Sequence, residues 1–144
     1  MKVLQINIFG NLSTGRIAVD VYRTLRESGH DGLVAFARNS IAEDVPYLKI
    51  GSKWSVYSDV MATRFTDRAG FYSRKATQRL IEQIQDYNPD IIHLHNIHGY
   101  YINIEILFEY LRKAGKAVVW TLHDCWSFTG HCCYFEFIGC KKWL

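Results

Sequence analysis

The chain has 144 residues and no apolar run near the ~18 residues that a membrane-spanning helix needs. Its opening, Met-Lys-Val-Leu-Gln-Ile-Asn-Ile-Phe, is interrupted by Gln5 and Asn7, and no small-residue cleavage site follows. That pattern reads as a buried strand, not an export signal, so the expected location is cytoplasmic. Low-complexity stretches and internal repeats are absent. Charge of neither sign dominates: 17 Lys and Arg face 14 Asp and Glu, and the net +3 is far short of a dedicated nucleic-acid binder. Cysteine is missing until Cys125, after which Cys132, Cys133 and Cys140 follow. Without an export signal a disulfide framework is disfavoured, which leaves reduced thiols or a metal site.

What remains is the composition of one globular domain, 49% hydrophobic and 22% charged. Aromatics reach 15%, which suits sugar-stacking or interface surfaces and equally a large aromatic core. Lys2–Phe9 reads as a strand ending at Gly10. Ile17, Val21 and Leu25, with Ala18 and Tyr22 beside them, then recur at helical spacing up to Gly29. Gly32–Ala37 is a second strand, Tyr47–Ile50 a short third, and Lys53–Phe65 an ambiguous segment read as a helix. Ser73–Tyr87 carries Ala76, Leu80, Ile81, Ile84 and Tyr87 on one face and stops before Pro89. Asp90–His95 and Ala117–Leu122 read as buried strands around an amphipathic helix over Asn103–Ala114. Strands alternating with helices predict a Rossmann-like, doubly wound α/β domain over residues 1–122, with a cysteine-rich loop starting at 123.

Ligands of open parallel sheets sit beyond the carboxyl ends of the strands, and three such ends carry polar residues. The first, Gly10-Asn11-Leu12-Ser13-Thr14-Gly15-Arg16, is neither a Walker A loop nor Gly-x-Gly-x-x-Gly. It is a tight turn in which Thr14 caps the helix, or a loop whose glycines let a ligand approach the backbone. Arg16 opposes the helix dipole, which makes it a better phosphate ligand than helix stabiliser. The second is His93-Leu94-His95-Asn96-Ile97-His98-Gly99-Tyr100-Tyr101, where His93 and His95 share a strand face. Three histidines invite zinc, but no His-Glu-x-x-His pattern accompanies them, and His with Asn suit sugar hydroxyls and phosphates. The third places His123 and Asp124 directly after the last strand.

Two further features stay open between readings. Cys125, Cys132, Cys133 and Cys140 lack the two-residue knuckle of a zinc ribbon, so a structural zinc competes with reduced thiols, and reduced thiols are favoured. Met61–Arg79 sets Arg64, Arg68, Arg74, Lys75 and Arg79 against the single acid Asp67, interleaved with Phe65, Phe71 and Tyr72. Such a segment lies on anionic lipid or binds a phosphate-linked acceptor, or is simply a solvated helix face.

Ser13–Arg16, Asn88–Tyr101 and Trp120–Cys132 together resemble family 4 glycosyltransferases of capsule, exopolysaccharide and O-antigen synthesis. The resemblance implies the N-terminal half of a GT-B fold, with a separate donor-binding domain whose Glu-x7-Glu signature is missing from this sequence. It implies a hexosyltransferase type of activity, metal-independent, with a nucleotide-sugar donor and a glycan or lipid-linked acceptor, at most peripheral at the inner membrane face. By resemblance Thr14, Gly15 and Arg16 meet the donor phosphates, and His123 with Asp124 stand at the reacting centre. His95, Asn96, His98 and Tyr101 line the acceptor side. The missing half leads us to expect a truncated chain that transfers no sugar by itself. The competing expectation is a non-catalytic saccharide- or phosphate-binding domain, and a third is a zinc module on the cysteines.

Overall fold

The computed structural model describes residues 1–129, 133–139 and 141. Its elements follow the alternation read from the sequence: β1 (Lys2–Phe9), α1 (Thr14–Glu27), β2 (Asp31–Arg38), β3 (Tyr47–Lys49), α2 (Lys53–Thr66), α3 (Arg74–Tyr87), β4 (Ile91–Leu94), α4 (Ile104–Ala114) and β5 (Ala117–Trp120). A short helix, α5 (Trp126–Thr129), and a 3-10 turn, Glu136–Ile138, follow in the segment where periodicity fades. The five strands pair in parallel in the order β3-β2-β1-β4-β5. The chain therefore builds outward from β1 in one direction and then restarts beside β1 in the other. That reversal opens a crevice beyond the carboxyl ends of β1 and β4, where ligands of such sheets bind.

The central strand explains the core. Val3, Leu4, Ile6 and Ile8 are buried, and so are the two polar residues between them, Gln5 and Asn7. Leu4, Ile6 and Ile8 form one cluster with Ile92 and Leu94 of β4, Leu80 and Ile84 of α3, and Leu107 and Leu111 of α4. On the other side Ala18, Val19 and Tyr22 of α1 pack with Val34. The buried stripe of α1 is thus rotated from the one its spacing suggests, since Ile17 is left exposed. Gly32 shows why: a Cβ there would lie 2.7 Å from the Tyr22 ring, so that ring rests directly on β2 and fixes the helix rotation. The last strand differs more. The β-branched run of β5 was expected in a buried strand, yet β5 is at the sheet edge with Val118 43% and Val119 47% exposed.

The turn from β1 into α1 is close-packed. A Cβ on Gly15 would sit 2.8 Å from the Phe9 carbonyl oxygen, so the first turn of α1 touches the end of β1 through backbone alone. Gly10 is equally confined, by the Ser40 carbonyl and the Phe36 ring. These glycines are required by the protein's own packing. Gly15→Ala should lower stability by about 1–3 kcal/mol, read as a shifted urea midpoint at unchanged slope. A midpoint equal to wild type would mean that the turn has slack.

Candidate functional site

From the middle of β1 to the carboxyl ends of β4 and β5, polar side chains form one hydrogen-bonded line. Gln5 is completely buried, and its Nε2 donates to the Ala18 carbonyl at 2.7 Å. Its Oε1 is therefore the acceptor facing His95 Nε2, 3.0 Å away. His95 Nδ1 in turn lies 2.9 Å from His123 Nε2. Burial first, then the neighbouring His93 and His123, push the His95 ring down to about 3. A neutral ring carries one proton, and the Gln5 oxygen holds it on Nε2. His95 Nδ1 must then accept from His123 Nε2–H, so Nδ1 of His123 is the nitrogen left to meet a ligand. His93 is also held low, mainly by burial and then by His123, and its Nε2 pairs with Thr121 Oγ1 at 2.8 Å.

A second line runs alongside. His98 Nε2 and Asp124 Oδ2 are 2.7 Å apart, with the His98 ring over Trp126 at 5.4 Å between centroids. The other Asp124 oxygen accepts from the Trp126 N–H at 3.0 Å, tying the loop to the start of α5. The backbone between the two lines is braced from below: Trp120 Nε1 donates to the His95 carbonyl and the Tyr101 hydroxyl to that of Asn96. His95, Asn96, His98, His123 and Asp124 consequently line one crevice, with barely the volume of one water, about 10 Å³. Beside it Phe71, Ile97, Phe108, Trp120 and Trp126 line an apolar hollow of about 520 Å³.

The structure does not gather all the expected site residues. His95 and Tyr101, expected to line the acceptor side, are each 1% exposed and stand beneath the crevice, because their polar atoms are bonded within the protein. Burial also raises the Tyr101 hydroxyl far above its ordinary range. Thr14 does not cap α1. It is buried, and its Oγ1 donates to Asn7 Oδ1 at 3.0 Å, while the N-cap is Ser13 with no side-chain bond. The N–H groups of Gly15 and Arg16 go to the Leu12 and Ser13 carbonyls, so the loop offers a ligand the exposed Arg16 side chain more than a backbone cradle. Arg16 lines a different hollow, of about 230 Å³, with Asn11, Asp20 and Arg23. Gln5, which anchors the line, was not among the expected site residues. Its signal was there, as a polar residue at an inward position of the central strand.

For metal, His98, Asp124 and Cys133 each bring one ligand atom to within 4.8 Å of the others, the grouping among the described residues best placed to hold an ion. The 2.7 Å between His98 and Asp124 is a hydrogen-bond distance. Two ligands on a tetrahedral zinc stand about 3.3 Å apart, so that pair would have to open. The Cys125 N–H donates to the Cys133 carbonyl at 2.9 Å, which holds the two cysteines side by side. Cys132 and Cys140 of the expected cysteine group, and His131 beside them, lie outside the described residues. The basic Met61–Arg79 segment is not one helix: it runs from the end of α2 through a loop into α3.

The buried His95 ties stability to pH. In the unfolded chain it takes a proton near 6.5, and in the folded protein only near 3, so unfolding binds a proton throughout that window. Its contribution is fully present above pH 6.5 and is lost as pH falls towards 3, by at most about 1.4 kcal/mol per unit. Urea midpoints between about pH 7 and 4 should fall steeply for wild type and less steeply for His95→Gln. Equal slopes would show that His95 is not the group responsible.

The model of Glycosyltransferase Family 4 matches residues 14–140, nearly the whole chain. "Putative colanic acid biosynthesis glycosyl transferase WcaC" of Escherichia coli (strain K12) is 35% identical over 60 residues, which span 38% of this chain and 14% of that relative. The crystal structure of glycosyltransferase VinC in complex with DTDP overlays on 67% of this chain and 30% of its own, at 13% identity and a TM-score of 0.46, too loose to bear on the site. With most of its length matched by the family model, the chain belongs to glycosyltransferase family 4.

Proposed function

We propose that this chain supplies the acceptor-side half of an enzyme that moves a sugar, of hexosyl type, from a nucleotide-sugar to a glycan or lipid-linked acceptor. The observation that carries the reading is the Gln5–His95–His123 line, which ends at the crevice with His123 Nε2 committed to His95 and its other ring nitrogen left over. That nitrogen suits a sugar hydroxyl, which both donates and accepts. The departing diphosphate needs positive charge and N–H donors more than a strong base, and the exposed Arg16 offers that charge. Asn96 and His98 are the crevice side chains proposed to meet the acceptor, with His95 and Tyr101 supporting them from beneath. Asp124 acts by holding His98 and the start of α5 in place. The Escherichia coli relative, named for colanic acid biosynthesis, supports a polysaccharide setting. A cytoplasmic location, and work near a membrane when the acceptor is lipid-linked, follow from the same reading.

The test uses the full-length polypeptide that carries this chain, assayed for sugar transfer. His123→Ala should lower kcat/KM by about 10²–10³-fold, as removal of a preorganised polar contact does. Its stability should fall by about 1–3 kcal/mol, because the buried His95 Nδ1 loses its donor, so transfer is compared where both proteins are fully folded. Wild-type transfer in that variant would remove His123 from the site.

A further inference from the structure

Helix α2 is built inside out. Its inward face carries Asp59, 2% exposed, and Thr63, 6% exposed, beside Val56 at the edge of the main core. The opposite face carries Trp54, Tyr57, Met61 and Phe65, at 80%, 61%, 37% and 81% exposure. These four recur at i, i+3, i+7 and i+11, which sets them in one stripe along the helix. The polar interior is satisfied: the Asp59 carboxylate accepts from Ser73 Oγ and from Thr63 Oγ1. A capping box between Ser52 and Ser55 fixes the start of the helix, and Asp67 closes it in the left-handed conformation. The inversion therefore belongs to a well-terminated helix. Single exposed apolar side chains are ordinary, but a continuous stripe of four large ones marks a surface that meets something.

We infer that the outer face of α2 rests on an anionic phospholipid bilayer. The stripe runs about 17 Å at 1.5 Å per residue, far short of the ~30 Å hydrocarbon thickness, so the helix lies along the surface. Trp and Tyr are the aromatic types that bridge hydrocarbon and water, and Met61 and Phe65 complete the apolar edge. Charge selects the partner. Lys53 and Arg64 flank one side of the stripe and Arg68 follows its end, while Asp59, the one carboxylate within α2, is turned inward. The first exposed acid is Asp67, at the helix end. The Arg68 guanidinium lies over the Phe71 ring at 5.3 Å, so cation and aromatic continue together past the helix. Arg74 and Lys75, exposed at the start of α3, add to the same sign. Basic groups beside an aromatic edge match phosphate headgroups above hydrocarbon, and each contributes near an anionic surface.

This inference stands on the surface of α2 and needs no turnover, so its failure and that of the transfer reading are separable. The full chain is sedimented with vesicles of phosphatidylcholine alone and of phosphatidylcholine with about 30% phosphatidylglycerol. It should bind the anionic vesicles and largely ignore the neutral ones. Trp54→Ala with Phe65→Ala should reduce that binding by about tenfold or more, with an unchanged urea midpoint because both side chains are exposed. Lys53→Glu with Arg64→Glu should remove the preference for anionic lipid. Wild-type chain that ignores both vesicle types overturns the inference, as does a double alanine variant that binds like wild type. So does a dimer, seen by sedimentation equilibrium without lipid, that the alanine pair abolishes, since the stripe would then belong to a second copy.

Discussion

The crevice depends on where one buried amide points. Gln5 has no contact with water, and an unsatisfied amide at that depth would cost roughly 1–3 kcal/mol. Its two ends are satisfied in different directions, the nitrogen by the backbone of α1 and the oxygen by His95. A helix and two neighbouring strand ends are thereby held in one relation. The order of the sheet makes this possible, because β1 and β4 lie side by side although far apart in sequence. Trp120 and Tyr101 then hold the carbonyl of the same histidine and that of Asn96 after it. The site is stiff because its foundation is hydrogen-bonded and dry.

Much of the fold was legible from local pattern. Strand β1 and the stop of α3 before Pro89 follow from apolar runs and from the stiffness of proline, which act within a few residues. The exposure of β5 was not legible. Val118 and Val119 look alike on a central and an edge strand, and only the sheet order tells which they occupy. The rotation of α1 was hidden for a similar reason, since Gly32 and Tyr22 meet across two elements.

The site divides along the same line. That His95, Asn96, His98, His123 and Asp124 share a crevice could be read from strand ends alone. Which of them face a ligand could not. His95 turns inward because partners distant in sequence satisfy it, and Tyr101 because its hydroxyl folds back on the Asn96 carbonyl, which residue types alone do not tell. Glycines mislead in the same manner: Gly10 and Gly15 have the look of a phosphate loop, and their missing side chains make room for Phe36, Ser40 and Phe9. The inversion of α2 was the reverse case. Its aromatics were visible, but the acid that should have faced water was Asp59, and its burial depends on Ser73 across a loop.

The depressed His95 ring has one more consequence. A line of imidazoles ending on an amide resembles a proton wire, yet this one does not conduct at neutral pH. His95 cannot accept a second proton there, and Gln5 beyond it can neither take nor release one. The line is an insulator that passes on orientation alone. A proton that reaches His123 from the crevice is therefore not handed on through His95.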